Sequence, residues 1–306
     1  MLCEKIILGA GTEYPLKGML TLPDGDGPFP AVVLVHGSGS SNMDEKLYRL
    51  TPFRDLAEGL ARDGVASIRY DKRSFAHGFK MVRQGNITVR QETIEDALLA
   101  TQMLRSDSRI DPDRIFLIGH SMGAMLAPRI HAEGGDYRGL VLMAGTLRTL
   151  EEVMQSQNEE MMASLPALLR PLLKKQTEKL TKSFEGMYQM SDEKAKTIKM
   201  GGGTTLYYFK EMGEHPAEKY MKDFSRPLLI LQGGKDFQAK ADVDFEGYRN
   251  LLSGRENVTF RLYPELNHCF VPALYTDISR VKQEYKPERH IGQDVIGDIA
   301  RWILNN

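Results

Sequence analysis

The sequence predicts an α/β protein, with a mainly parallel central sheet flanked by helices and one helical insertion. Two observations carry this. Between residues 29 and 145, short β-branched and aliphatic runs alternate with helix-patterned stretches, the signature of βαβ units. Strand character then lapses and returns twice, at 227–232 and 258–263, ahead of an amphipathic last helix over 291–304.

Residues 5–23 hold Gly9, Gly11, Thr12 and Pro15 between two apolar stretches, which predicts an antiparallel hairpin at a sheet edge. Residues 30–37 (PAVVLVHG) read as a buried strand. Over 52–63, Phe53, Leu56, Leu60 and Ala61 fall on one helical face, and Gly64 ends the helix. A strand at 65–70 follows, then a helix over 88–105 on which Ile94, Ala97, Leu98 and Met103 recur near the helical period. Asp111-Pro112 predicts a turn. The strand at 114–119 runs straight into Ser121, a helix occupies 123–131, and 139–144 supply the next strand. From 147 to 222 the β pattern disappears in favour of helix formers, broken by Pro166, Pro171 and the triple glycine 201–203, which reads as a plain loop in preference to a hinge. The chain thus divides into a first core part (1–146), a helical cap insertion (147–222) and a second core part (223–306).

Composition narrows the functions. A chain of 306 residues buries a proper core, and 40 Lys+Arg against 41 Asp+Glu leave a net charge of −1, so no bulk positive field attracts nucleic acid. Its apolar runs fall far short of the roughly 18 residues of a membrane span. Glu4 sits where a secretory signal would be apolar, which predicts a cytoplasmic protein. Cys3 and Cys269, the two cysteines, are too few for a disulfide framework, and no histidine pair has metal-ligand spacing, so neither metal nor cofactor is expected. The oligomeric state is left open, a homodimer included.

The sharpest motif is Gly119-His120-Ser121-Met122-Gly123, a G-x-S-x-G pattern placed where a strand meets a helix. A serine at so tight a turn adopts a strained backbone that lifts its hydroxyl clear of the sheet, and the glycines leave room for it. A hydroxyl is a poor nucleophile without a base that is itself oriented by a carboxylate. Of the seven histidines, His268 follows the last predicted strand, where a parallel sheet presents its C-terminal edge. Asp236 follows the preceding strand, giving the order Ser121, Asp236, His268; Asp242 and Asp244 are rivals in the next helical stretch. His120 is expected to pack beside the turn, and His77, His131, His215 and His290 to be solvated or structural. The developing oxyanion needs two convergent N–H donors. Met122 supplies one by position, and His36-Gly37-Ser38-Gly39 the other, through Ser38 or its rival Gly39.

On HGSG at 36–39, GHSMG at 119–123, Asp236 and His268, in that order, nearly the whole chain resembles the α/β-hydrolase superfamily. Tyr70-Asp71-Lys72-Arg73, LQGGKDFQ at 231–238, Leu266-Asn267-His268 and Glu284-Tyr285-Lys286-Pro287 are similar to bacterial EstD-type carboxylesterases, near the dienelactone hydrolase and serine aminopeptidase groups. The resemblance implies an esterase with a helical cap. It departs at Ser40-Ser41-Asn42-Met43, where that group implies a proline near Ser41. The additional N-terminal domain of some relatives is not expected, since the hairpin starts within ten residues of Met1. Asp71 and Arg73 are expected as an ion pair supporting the oxyanion loop.

The expected chemistry is hydrolysis of a small-molecule ester, with a small to medium acyl or aryl group, through an acyl-enzyme. A thioesterase, amidase or peptidase with the same triad stays open, because only the leaving group differs; no acidic cluster is evident to anchor a peptide amino terminus. A non-catalytic binding protein is disfavoured because all three triad residues are kept. Eight of the 16 methionines lie between 149 and 222. Met154, Met161 and Met162 are expected either to roof an acyl pocket or to pack helices.

Overall fold

The computed structural model describes residues 1–166, 170–201 and 203–306, without the side chains of residues 172, 173 and 176. Strands β1 (Leu2–Leu8) and β2 (Leu16–Leu22) form the antiparallel edge hairpin. After them come β3 (Phe29–Val35), α1 (Pro52–Arg62), β4 (Ala66–Tyr70), α2 (Arg73–Gln84), α3 (Glu95–Arg105), β5 (Ile110–His120), α4 (Met122–Ile130) and β6 (Leu140–Met143). Between β6 and the next sheet strand lie α5 (Leu150–Ser164), α6 (Arg170–Phe184), α7 (Asp192–Thr197), a small ribbon of β7 (Lys199–Gly201) and β8 (Thr204–Thr205), α8 (Leu206–Gly213) and α9 (Ala217–Met221). Then β9 (Leu228–Gly233), α10 (Glu246–Leu251), β10 (Val258–Tyr263), α11 (Val281–Tyr285) and α12 (Gln293–Leu304) complete the chain.

The sheet has eight strands in the order β1-β2-β4-β3-β5-β6-β9-β10, and β2 alone runs against its neighbours. Every pairing from β4 to β10 is parallel, so the C-terminal ends of β3, β4, β5, β9 and β10 open onto one edge. Side chains alternate between two buried faces, as the strand period of two requires. Val33, Val35, Leu117 and Ile230 join Ala97, Leu104, Leu126 and Ile130 of α3 and α4 on one face. Leu34, Ile118, Val141 and Leu231 meet Phe53, Leu56 and Leu60 of α1 and Val295, Ile299 and Ile303 of α12 on the other. Each such fully buried aliphatic side chain contributes roughly 1.5–3 kcal/mol. The helices after β6 extend the first face, with Leu206, Phe209, Met212 and Met221 in the same cluster as α4.

Three details differ from expectation. Asp111-Pro112 makes no separate turn but lies in a bulge of β5, where pairing with β3 jumps from Phe29–Ile110 to Ala31–Ile115. The extra residues loop out and leave the ladder on either side intact. The helix expected over 88–105 starts as a wide turn, Arg90–Ile94, before α3. The stretch 147–222 does contain strands, the ribbon β7–β8. Of the triple glycine between them, Gly201 and Gly203 have φ of +107° and +85°, as a tight turn needs, and Gly202 lies outside the described residues.

Candidate active site

Ser121 sits at the end of β5 with φ 53° and ψ −116°, a conformation that costs a non-glycine residue about 1–3 kcal/mol. Its own N–H, bonded to the Met143 carbonyl at 2.8 Å, and the α4 amides of Ala124 and Met125, bonded to the Ser121 carbonyl, hold it there. The flanking glycines are steric necessities. A Cβ on Gly119 would stand 2.3 Å from the Gly123 oxygen, and one on Gly123 would stand 2.1 Å from the Val35 oxygen, so strand β3 lies hard against the turn.

Across the same edge, the buried His268 places Nδ1 2.7 Å from Oδ2 of the buried Asp236. Asp236 is itself fixed by the chain around it. Its Oδ1 accepts the N–H groups of Gln238 (2.7 Å) and Ala239 (3.0 Å), and Oδ2 also accepts Gln232 Nε2 (3.1 Å). The loop carrying His268 is fixed by Glu284, fully buried, which accepts from Asn267 Nδ2 (2.5 Å), the Leu274 N–H (2.9 Å) and the Tyr275 N–H (2.6 Å). Ser121 and His268 line one cavity of about 170 Å³ together with Gly37, Ser38, Glu45, Gln238 and Cys269. The Cys269 thiol on its wall is pushed well up by burial and stays protonated, which disqualifies it as a rival nucleophile.

The other flank of Ser121 is ionic. Glu45 accepts the Gly37 N–H at 2.8 Å, and its second oxygen lies 2.9 Å from His120 Nδ1. His120 Nε2 lies 2.9 Å from the His268 carbonyl, and the His120 and His268 rings pack at 4.8 Å. The ring thus has a carbonyl beside one nitrogen and a carboxylate beside the other, surroundings that favour its charged form. Burial works against its charge, but Glu45 overcomes this and the His120 pKa is raised; Glu45 is lowered despite its own burial, chiefly by His120. His36, beneath the loop, is lowered to about 4 by burial and is neutral near pH 7.

The structure thus brings Ser121, His268 and Asp236 together, with Ser38 on the cavity wall and Met122 at the first position of α4. The rivals fall away. Asp242 is exposed, and Asp244 is taken up by Arg148, Thr146 and the Lys240 N–H. His77, His131, His215 and His290 bond to Pro15, Tyr137, Tyr220 and Asp55, outside the cavity. The expected Asp71–Arg73 pair does not form. Asp71 accepts the Met43 N–H (2.8 Å), whereas the Arg73 guanidinium turns the other way to Asp96 (2.5 Å) and Glu95 (3.0 Å), because α2 starts at Arg73 and redirects the side chain. Its neighbour Lys72 reaches the loop instead, with Nζ 2.9 Å from the Gly37 oxygen. Without a proline near Ser41, the loop is pinned by Asp71 at Met43, by the Lys72 N–H at the Ser41 carbonyl and by His36 at the Asn42 carbonyl.

Met154, Met187, Met212 and Met221 pack with the core cluster of α4, and none of them lines the cavity at Ser121. Among the described residues no group of three or more His, Cys, Asp or Glu side chains could hold a metal ion, and no helix is long and apolar enough to cross a membrane. Sequence reading missed Glu45, Lys72 and Glu284. Lys72 and Glu284 do lie in the short stretches on which the sequence resembles EstD-type carboxylesterases, which marked them without giving a role; Glu45 carries no such signal.

Residues 27–272 match the serine aminopeptidase S33 family. The chain belongs to that family. It is 36% identical over 293 residues to the esterase EstD of Thermotoga maritima, covering 96% of this chain and 66% of that protein, so it spans just under two thirds of the length of that relative. Among solved structures, the Pyrococcus furiosus esterase Pf2001 superposes with a TM-score of 0.60 at 17% identity, over 99% of this chain and 91% of the other. Est1E from Butyrivibrio proteoclasticus gives 0.59 at 13% identity, over 99% of both chains. These likenesses establish the α/β-hydrolase fold for this member of the S33 family.

Proposed function

We propose that this protein is a serine carboxylic-ester hydrolase that acts on small to medium acyl or aryl esters. The observation that carries the reading is a serine held at φ 53° in one cavity with a histidine whose Nδ1 is 2.7 Å from a buried aspartate. Ser121 Oγ attacks the ester carbonyl while His268 Nε2 takes its proton, and Asp236 holds the imidazole in the required tautomer. The amides of Met122 and Ser38 receive the oxyanion. His268 then returns the proton to the leaving alcohol, and water, deprotonated by the same imidazole, releases the acid from the acyl-enzyme. EstD and Pf2001 are named as esterases, which agrees with this chemistry.

The cavity is small beside the roughly 300–1,000 Å³ of drug-sized sites, which suits short acyl groups. Residues 147–222 act in this reading as a cap, inserted between core parts 1–146 and 223–306. Helix α5 leans on the Asp236 loop through Gln157 to the Gln238 carbonyl (3.4 Å) and Glu160 to Lys240 (2.6 Å). Peptide cleavage is disfavoured because, among the described residues, the one carboxylate lining the cavity is Glu45, which lies against the Gly37 N–H and His120.

Labelling with a fluorophosphonate tests the nucleophile. Wild type is expected to label and Ser121→Ala not to, with p-nitrophenyl ester turnover falling on the order of 10⁴ to 10⁶. An unlabelled but folded wild type, or a Ser121→Ala variant with wild-type turnover, defeats the reading. Faster turnover of aminoacyl arylamides than of the esters would move the assignment to peptidase.

A further inference from the structure

We infer that Lys72 is a positioning residue for the oxyanion site, its ammonium both orienting and polarising the Gly37–Ser38 peptide so that the Ser38 N–H faces the reacting carbonyl. The inference deepens the esterase reading and rests on it for its consequence in catalysis. The geometry comes from one peptide plane. Lys72 Nζ donates to the Gly37 carbonyl at 2.9 Å, and this peptide is trans, so the Ser38 N–H points away from the ammonium. The preceding peptide is pinned as well, because the Gly37 N–H donates to Glu45 Oε1 at 2.8 Å. Gly37 is thus held on both sides, directly against the nucleophile, where a Cβ would come 3.1 Å from the Ser121 Cβ.

Orientation is half of the effect. A cation at a carbonyl oxygen draws electron density through the amide and leaves the N–H at its far end more positive, which strengthens the bond that N–H makes to an oxyanion. An oxyanion donor works only if it is aimed before charge develops. Lys72 meets that condition, being 2% exposed and held by the chain around it. Its charge is balanced by Glu92 Oε1 at 3.5 Å, and the other Glu92 oxygen accepts Tyr208 OH at 2.7 Å from α8. Burial lowers the Lys72 pKa, and the charges of Glu92 and Glu45 oppose that change.

Two measurements test this, the first independent of any activity. Carbonyl-¹³C glycine with ¹⁵N-serine labelling lights only the peptides 37–38 and 39–40, the two Gly–Ser steps in the chain. Comparing Glu92→Gln with Lys72→Met/Glu92→Gln, which avoids stranding a buried carboxylate, the Gly37 carbonyl is expected to move upfield together with the Ser38 amide while the 39–40 pair stays. Unmoved 37–38 signals in a folded double variant overturn the inference. In ester turnover the same pair should differ by about 10- to 100-fold in kcat, less than deleting an oxyanion donor outright, with KM changed less than about twofold. A loss confined to KM, or a kcat within twofold, overturns the catalytic role. If wild type turns over no ester, the esterase reading fails, and the peptide signals still decide whether Lys72 sets the plane.

Discussion

The two flanks of Ser121 are built on opposite plans. On the Asp236–His268 side the carboxylate is held by Gln232, Gln238 and Ala239, all within four residues of it, mostly through backbone N–H groups. On the Gly37 side the loop is held by Glu45, Lys72, Glu92 and His120, charged side chains drawn from four separate segments. The first flank needs only a local turn. The second needs two buried ionisable pairs, Lys72 with Glu92 and His120 with Glu45, each group stabilised by its partner.

Breaking the local flank should have the larger effect on chemistry. Asp236→Asn is expected to lower kcat on the order of 10⁴, because an amide at that position stabilises the wrong His268 tautomer, while the melting temperature changes little. A kcat within tenfold of wild type would show that Asp236 does not orient the base.

Breaking the ionic flank should cost more in stability than in chemistry. Glu45→Gln leaves His120 buried without its counter-charge, for a loss of about 3 kcal/mol seen in urea unfolding and a fall in kcat of roughly tenfold. The pH dependence has a definite sign. His120 is raised in the folded state, so its contribution is complete below the ordinary histidine value and is lost as pH rises through the raised one. Glu45 is lowered, so its contribution is complete above the ordinary carboxylate value and is lost as pH falls through the lowered one. The stability gap between wild type and Glu45→Gln should therefore be widest between about pH 5 and 6.5 and shrink on either side. A gap that is flat from pH 4 to 9 would dissolve the pairing.

The smallest effect is expected at the outer end of that flank. Tyr208→Phe removes one hydrogen bond to Glu92 from a carboxylate still paired with Lys72, for about 1 kcal/mol in unfolding and a kcat change of less than threefold. A larger kcat loss would mean that α8 transmits its position to the Gly37 loop, which sharpens the contrast between the flanks.

The same contrast explains what could be read from the chain alone. The alternation of buried strand and helix runs determined the parallel sheet, because strands covered on both faces must be apolar throughout, as Ala31 to Val35 are. Chain order along the sheet edge determined the grouping of Ser121, Asp236 and His268, because parallel strands deliver the residues after them to one side. The positions of Glu45, Lys72, His120 and Glu284 were decided by tertiary structure. Lys72 and Arg73 are adjacent, yet one turns to Gly37 and the other to Asp96, since the direction each takes depends on where β4 ends and α2 begins. Local turns and strand periods are properties of neighbouring residues and are written in sequence order. Buried ion pairs join residues that only the folded chain brings within reach, and the choice among several nearby carboxylates is made by a few ångströms of packing.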